Sequence, residues 1–191
     1  MLLYIKLFLI FSFFYIISTE EDEEIIDEYV LNFDSALYVC GDEQSEAYFD
    51  SSQVVVSRYN ETTTAMSGYA KLLKGMEQNT LVEAYVEKDV AGRYEMMMSH
   101  EICNICDELG KEDGNYYSYI KDIGLPDSCP LPPADYTISD LVIDKKYLPM
   151  NKANEGRYQM TLNFYDSPSG DCTGPKTFIA CLKVDMVIEP K

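Results

Sequence analysis

Few residues in this 191-residue chain have the chemistry of a catalyst. His100 is its single histidine, and general acid–base or nucleophilic catalysis would require a partner for it. None is legible. There is no Gly-x-Ser-x-Gly turn, no Gly-x-Gly-x-x-Gly loop and, if every cysteine pairs, no free thiol. Thirty-three Asp and Glu residues supply many carboxylate pairs by chance, and none has the spacing of a glycosidase pair. His100 therefore reads as a structural or surface residue, no cofactor is called for, and the chain is expected not to be an enzyme.

The cysteines carry a clearer message. Cys40, Cys103, Cys106, Cys129, Cys172 and Cys181 form an even set. Cys103-Asn104-Ile105-Cys106 has the spacing of a zinc half-site. Such a site draws its other ligands from a second close pair or from histidines, and this chain has no second Cys-x-x-Cys. No metal is expected. Three disulfides are, and they belong to an oxidising compartment.

The amino terminus agrees. Residues 1–18 join one positive charge, Lys6, to an apolar run over 7–17. That run is shorter than the roughly twenty residues of a membrane span and suits a signal peptide. No later apolar stretch is long enough to span, so the mature protein is expected to be secreted without a transmembrane segment. Residues 19–30, with Glu20-Glu21-Asp22-Glu23-Glu24, read as an acidic, disordered leader. With residues 1–18 removed, fourteen basic against thirty-three acidic residues leave a net charge of −19. Nucleic acid and anionic membranes would repel it, so no nucleic-acid partner is expected. Asn60-Glu61-Thr62 is a glycosylation sequon, expected at Asn60 on a surface loop.

The elements that must position these residues alternate with period two, as half-buried strands do. Tyr158, Met160, Leu162 and Phe164 oppose Arg157, Gln159, Thr161 and Asn163. Leu182, Val184 and Met186 oppose Lys183 and Asp185. Val82 and Val86 alternate with Glu83 and Glu87, and Tyr94, Met96 and Met98 with Arg93 and Glu95. Tyr136 and Ile138 begin a weaker candidate, as do residues 36–39 and 54–57. Ala91-Gly92, Asp113-Gly114-Asn115 and Ser167-Pro168-Ser169-Gly170 supply turns. About seven short strands predict a mainly β, antiparallel, immunoglobulin-like sandwich over residues 31–191. Ile102, Ile105 and Leu109 recur at helical spacing, which predicts one short helix near 101–110. Pro126, Pro130, Pro132 and Pro133 impose an extended loop after it.

An ordered set of short stretches then resembles a known family. Val86-Glu87-Lys88-Asp89-Val90-Ala91-Gly92, Cys106-Asp107-Glu108-Leu109, Gly124-Leu125-Pro126, Cys129-Pro130, Tyr136, Asp140-Leu141, Gly156-Arg157-Tyr158 and Cys181-Leu182-Lys183 are similar, in order and near spacing, to the ganglioside-activator-like branch of the ML lipid-recognition superfamily. That branch includes arthropod secreted members implicated in chemosensation. The resemblance covers residues 81–188, and residues 20–80 match poorly.

The resemblance implies a cup whose sheets splay around an apolar cavity, lined here by the inward residues named above. It also implies pairing of Cys106 with Cys129 and of Cys40 with Cys181, which leaves Cys103 with Cys172. Tyr147-Leu148-Pro149-Met150 falls where the family has an apolar loop at the cavity mouth. The function expected is a secreted, non-catalytic carrier or presenter of a lipid or other hydrophobic small molecule, with a receptor or lipid-processing enzyme as a further partner. The alternative is a sandwich with a filled core that serves as a protein-interaction or receptor-accessory module.

Overall fold

The computed structural model describes residues 29–143 and 150–191. The expected signal peptide, most of the leader, and Tyr147, Leu148 and Pro149 of the expected mouth loop lie outside the described residues. Tyr29 and Val30, read from sequence as the end of the leader, instead form the start of β1 (Tyr29–Phe33).

The chain then runs through β2 (Tyr38–Val39), a one-turn helix α1 (Glu43–Glu46), β3 (Phe49–Arg58), β4 (Thr64–Leu72), β5 (Thr80–Val90) and β6 (Arg93–Ile102). Helix α2 (Tyr117–Asp122), β7 (Ala134–Leu141), β8 (Gly156–Asp166) and β9 (Thr177–Pro190) complete it. Two antiparallel sheets result. The larger has the order β1-β9-β8-β5-β6, with β2 also on β9, and the smaller is β3-β4-β7. This is the expected mainly β sandwich.

Local chemistry explains the joints. At the β5–β6 turn both Ala91 and Gly92 have positive φ, 55° and 82°, the two-residue turn that suits the twist of a hairpin. The Asp89 carboxylate accepts from the Gly92 N–H at 2.7 Å. Asp42 caps α1 by accepting from the Ser45 N–H at 2.8 Å. The buried Ser45 hydroxyl in turn accepts from the Cys181 N–H at 2.8 Å, so α1 is fastened to β9. In the stretch expected to be helical, β6 continues to Ile102 and is followed by a single 3-10 turn, Ile105–Asp107, capped by Asn104. The six-residue helix α2 comes later.

Three disulfides close the fold: Cys40–Cys181 and Cys106–Cys129, the pairs that the resemblance implies, and Cys103–Cys172, the pair left over. Two apolar clusters fill it. One lies between the sheets and includes Leu31, Phe33, Val54, Met66, Tyr158, Val184 and Ile188. The other gathers Leu72, Met76, Leu109, Ile120, Leu131 and Tyr136 beneath the helix and the proline loop.

The two edges of the large sheet differ. At the β1 edge, buried Asn32 donates to the Thr62 carbonyl at 3.1 Å and accepts from the Thr64 N–H at 2.8 Å. The Phe33 N–H donates to Thr64 Oγ1 at 2.9 Å, and β4 packs on β1. At the other edge, residues 93–101 of β6 are all exposed. A three-stranded sheet does not span a sheet five strands wide, and β6 overhangs it.

Candidate ligand-binding site

Register assigns the faces of the large sheet, because directly opposed residues on neighbouring strands share a face. Met98 on β6 opposes Val86 on β5, Val86 opposes Met160 on β8, and Met160 opposes Val184 on β9. Along this row exposure falls from 42 % at Met98 to 9 % at Val86 and 2 % at Val184, with Met160 half-buried. Neighbouring rows join Val82 to Phe164 and Tyr158 to Met186. Val82, Tyr158, Leu182 and Met186 are buried, and Leu162 and Phe164 half-buried. Tyr136 and Ile138 bury themselves from the smaller sheet.

Two expected cavity residues belong elsewhere. A bulge falls between the Val86–Met98 and Glu87–Met96 pairs, where Met97 is the extra residue. Beyond it the alternation shifts by one. Met96 then opposes Glu87 and Tyr94 opposes Asp89, on the face that β5 turns away from the core. Tyr94 and Met96 are 50 % and 55 % exposed. The expectation that both line the inter-sheet space is therefore corrected: one inserted residue reverses the face. Met98 keeps the inner face but lies on the overhang.

Sequence reasoning also missed contributors. Leu31, Phe33, Val54 and Met66 share the inter-sheet cluster with Val86 and Tyr158, yet they come from the part of the chain that resembles the family least. Leu141, Ile143 and Met150 pack half-buried against the same cluster. Met150 is the described end of the expected mouth loop.

The two buried tyrosines bind their hydroxyls within the chain. Tyr158 donates to the Asn154 carbonyl at 2.6 Å and Tyr136 to the Pro132 carbonyl at 2.7 Å. Burial pushes both phenols above their usual range, so they remain neutral.

The inter-sheet space is occupied by the side chains of its apolar cluster, and a concavity of about 390 Å³ opens instead on the opposite face, lined by Glu83, Tyr85, Ser99, His100, Glu101 and Cys172. Glu83 is only 5 % exposed. It pairs with Lys176 and accepts from the Tyr85 hydroxyl at 2.7 Å. Burial works to raise the Glu83 pKa, but hydrogen bonds from Lys176, Tyr85 and Tyr165 outweigh it and hold the carboxyl below its ordinary value. The bond to Glu83, with burial added, pushes Tyr85 up to about 12. His100 is hydrogen-bonded to the Tyr116 hydroxyl. Each of these groups is engaged by another side chain of the fold. Among the described residues no cluster of three or more potential metal ligands occurs, and no helix is long and apolar enough to cross a membrane.

Residues 82–160 match the model of a family described as a protein of unknown function, DUF1091. The matched stretch runs from the start of β5 through β6, the helical and proline-rich connection and β7 to Met160 on β8. It thus covers the overhanging edge and three of the four residues in the graded row. No curated protein matches the chain.

Proposed function

We propose that the chain is a secreted, non-catalytic carrier of a lipid or other hydrophobic small molecule, of the ganglioside-activator-like kind. The observation that supports this is the unbroken apolar row from Val184 at the core, through Met160 and Val86, to Met98 at the open edge. An apolar guest can enter along such a row and displace flexible methionine side chains instead of rigid ones. Burying ten ligand methylenes would contribute about 8 kcal/mol, against an association cost of at least about 4 kcal/mol. The net of at most about 4 kcal/mol corresponds to millimolar affinity without a dedicated polar contact, so tighter binding takes a longer apolar chain and selectivity would rest on length and shape.

Titration of the secreted protein with fluorescent fatty acids and phospholipids tests the reading. Saturable binding that weakens in Val86→Asp, with the fold intact by circular dichroism, is expected. Absence of saturable binding to every hydrophobic probe would discard the carrier role. The alternative reading, a protein-interaction module, draws on the exposed Tyr94 and Met96–98 stretch. It predicts a partner protein whose binding is insensitive to lipid.

A further inference from the structure

The free edge of the large sheet has features that a solitary domain avoids. β6 is ten residues long and has no lysine and no proline; of the devices that deter edge-to-edge pairing its bulge lies at Met97 and leaves residues 93–96 regular. Val90, Tyr94, Met96, Met97 and Met98 account for five of the nine exposed large apolar side chains among the described residues, and all five sit on the β5–β6 hairpin. They divide between the two faces of the hairpin, Tyr94 and Met96 on the outward face and Val90 and Met98 on the inner one, and apolar exposure concentrated on one edge marks an interaction site. The opposite edge strand, β1, is covered and paired. Asn60 lies beside Thr62 and Thr64, which join that same β1 edge. A glycan there would leave β6 clear.

We propose that β6 pairs antiparallel with β6 of a second copy of this chain, about a two-fold axis at Tyr94, to form one continuous sheet. Charge and side-chain phase select this register. The bulge at Met97 shifts the faces, so any pairing that runs straight through it sets inward side chains against outward ones. Only the segment before the bulge supports a regular ladder. Within it, an axis at Arg93 would set the two Arg93 side chains against each other, and one at Glu95 would oppose two carboxylates. An axis at Tyr94 sets Arg93 against the second copy's Glu95, twice, with the two Tyr94 rings side by side. Both charged residues are exposed.

The complementarity continues inward. Glu95 already opposes Lys88 on β5, so one row across the joined sheets reads Lys88, Glu95, then Arg93 of the second copy. Opposite charges directly across a strand pair stabilise it and like charges destabilise it. On the other face Met96 comes over Gly92 of the second copy, where no side chain obstructs it. The ladder is short, well below the roughly 1,600 Å² of a standard stable interface, so the dimer is weak and concentration-dependent.

Sedimentation velocity on the secreted full chain, over a hundredfold range of concentration, tests this. A reversible monomer–dimer equilibrium is expected. Arg93→Glu and Glu95→Arg should each weaken it by about tenfold or more, since a charge pair becomes a repulsion. The double variant R93E/E95R should return to within roughly threefold of the parent, because the pair is rebuilt with its signs exchanged. These are exposed positions, and circular dichroism checks that each variant is folded.

A parent that remains monomeric at the highest concentration overturns the proposal. So does a dimer indifferent to both single changes, or one that the double exchange fails to restore. A monomeric parent that floats with phosphatidylcholine vesicles, and ceases to do so in Met97→Ser, would instead assign this edge to a lipid surface and also overturn it.

Discussion

β1 and β6 end the same sheet, yet one is buried and the other bare. Residues 30–33 of β1 are buried, whereas residues 93–101 of β6 are all exposed. Apolar content favours β1, with four apolar residues of five against five of ten in β6, but it does not explain why Met98, apolar and on the inner face, stays exposed. The cause is what lies opposite. Asn32 and Thr64 join β1 to the smaller sheet, and that sheet ends before it reaches β6. Burial in a sandwich is thus decided by the width of the facing layer as much as by the strand's own pattern.

Changes on the two sides should separate accordingly. The largest effect belongs to the covered side. Cys40 follows β2 and its bridge to Cys181 spans 141 residues. Replacing both with serine should cost about 5 kcal/mol by loop-entropy reasoning, read as a lower denaturant midpoint. Leu31→Ala on β1 should cost about 3 kcal/mol, as buried leucines do. If it costs less than a kcal/mol, the cover over β1 is not a packed one. Asn32→Ala removes one donor and one acceptor and strands the Thr62 carbonyl and Thr64 N–H, for about 2 kcal/mol.

On the β6 side the expected costs shrink. Lys176 pairs with buried Glu83 and approaches Glu101 on β6 at 3.6 Å. Lys176→Met should lower the denaturant midpoint by less than loss of a wholly buried pair would, because the lysine is open to solvent that screens it. This contribution has a pH signature. The folded Glu83 pKa lies below its ordinary value, so the stabilisation is complete above the unfolded carboxylate range, near 4.3, and disappears as pH falls through the depressed folded value. Unfolding followed between pH 6 and 3 should show a shallower acid limb in the methionine variant. Parallel limbs would mean that Glu83 gains nothing from its lysine. Smallest of all, Met96→Ala should change stability by less than about 0.5 kcal/mol. A loss comparable to that of Leu31→Ala would show that β6 is covered after all.

The sandwich was legible because β8 and β9 alternate without interruption over residues 156–164 and 180–188: Tyr158, Met160 and Leu162, then Leu182, Val184 and Met186, each face the core or its margin. β6 was not read correctly. A bulge inside Met96-Met97-Met98 leaves no polar residue to mark where the phase slips, so Tyr94 and Met96 were assigned the wrong face. Glu83 had every mark of a solvent-facing residue in an alternating strand. Its burial arises because the residues around Lys176, 93 positions later, fold over it, and no local pattern reports such a contact. β1 was missed for a similar reason: five residues beside an acidic run owe their burial to β9, far along the chain, and to the smaller sheet. Local periodicity reveals strands, while the identity of their neighbours is a long-range matter.

That distant partnership has a consequence for how the molecule is made. Tyr29 pairs with Pro190 and Phe33 with Met186, and β9 lies between β1, β2 and β8. β1 therefore waits for β9, the strand that β2 and β8 also require. Contacts so distant in sequence slow assembly. A nascent chain arrested before Thr177 should remain fully digestible by protease, and resistance should appear only after the fourteen residues of β9 have left the ribosome.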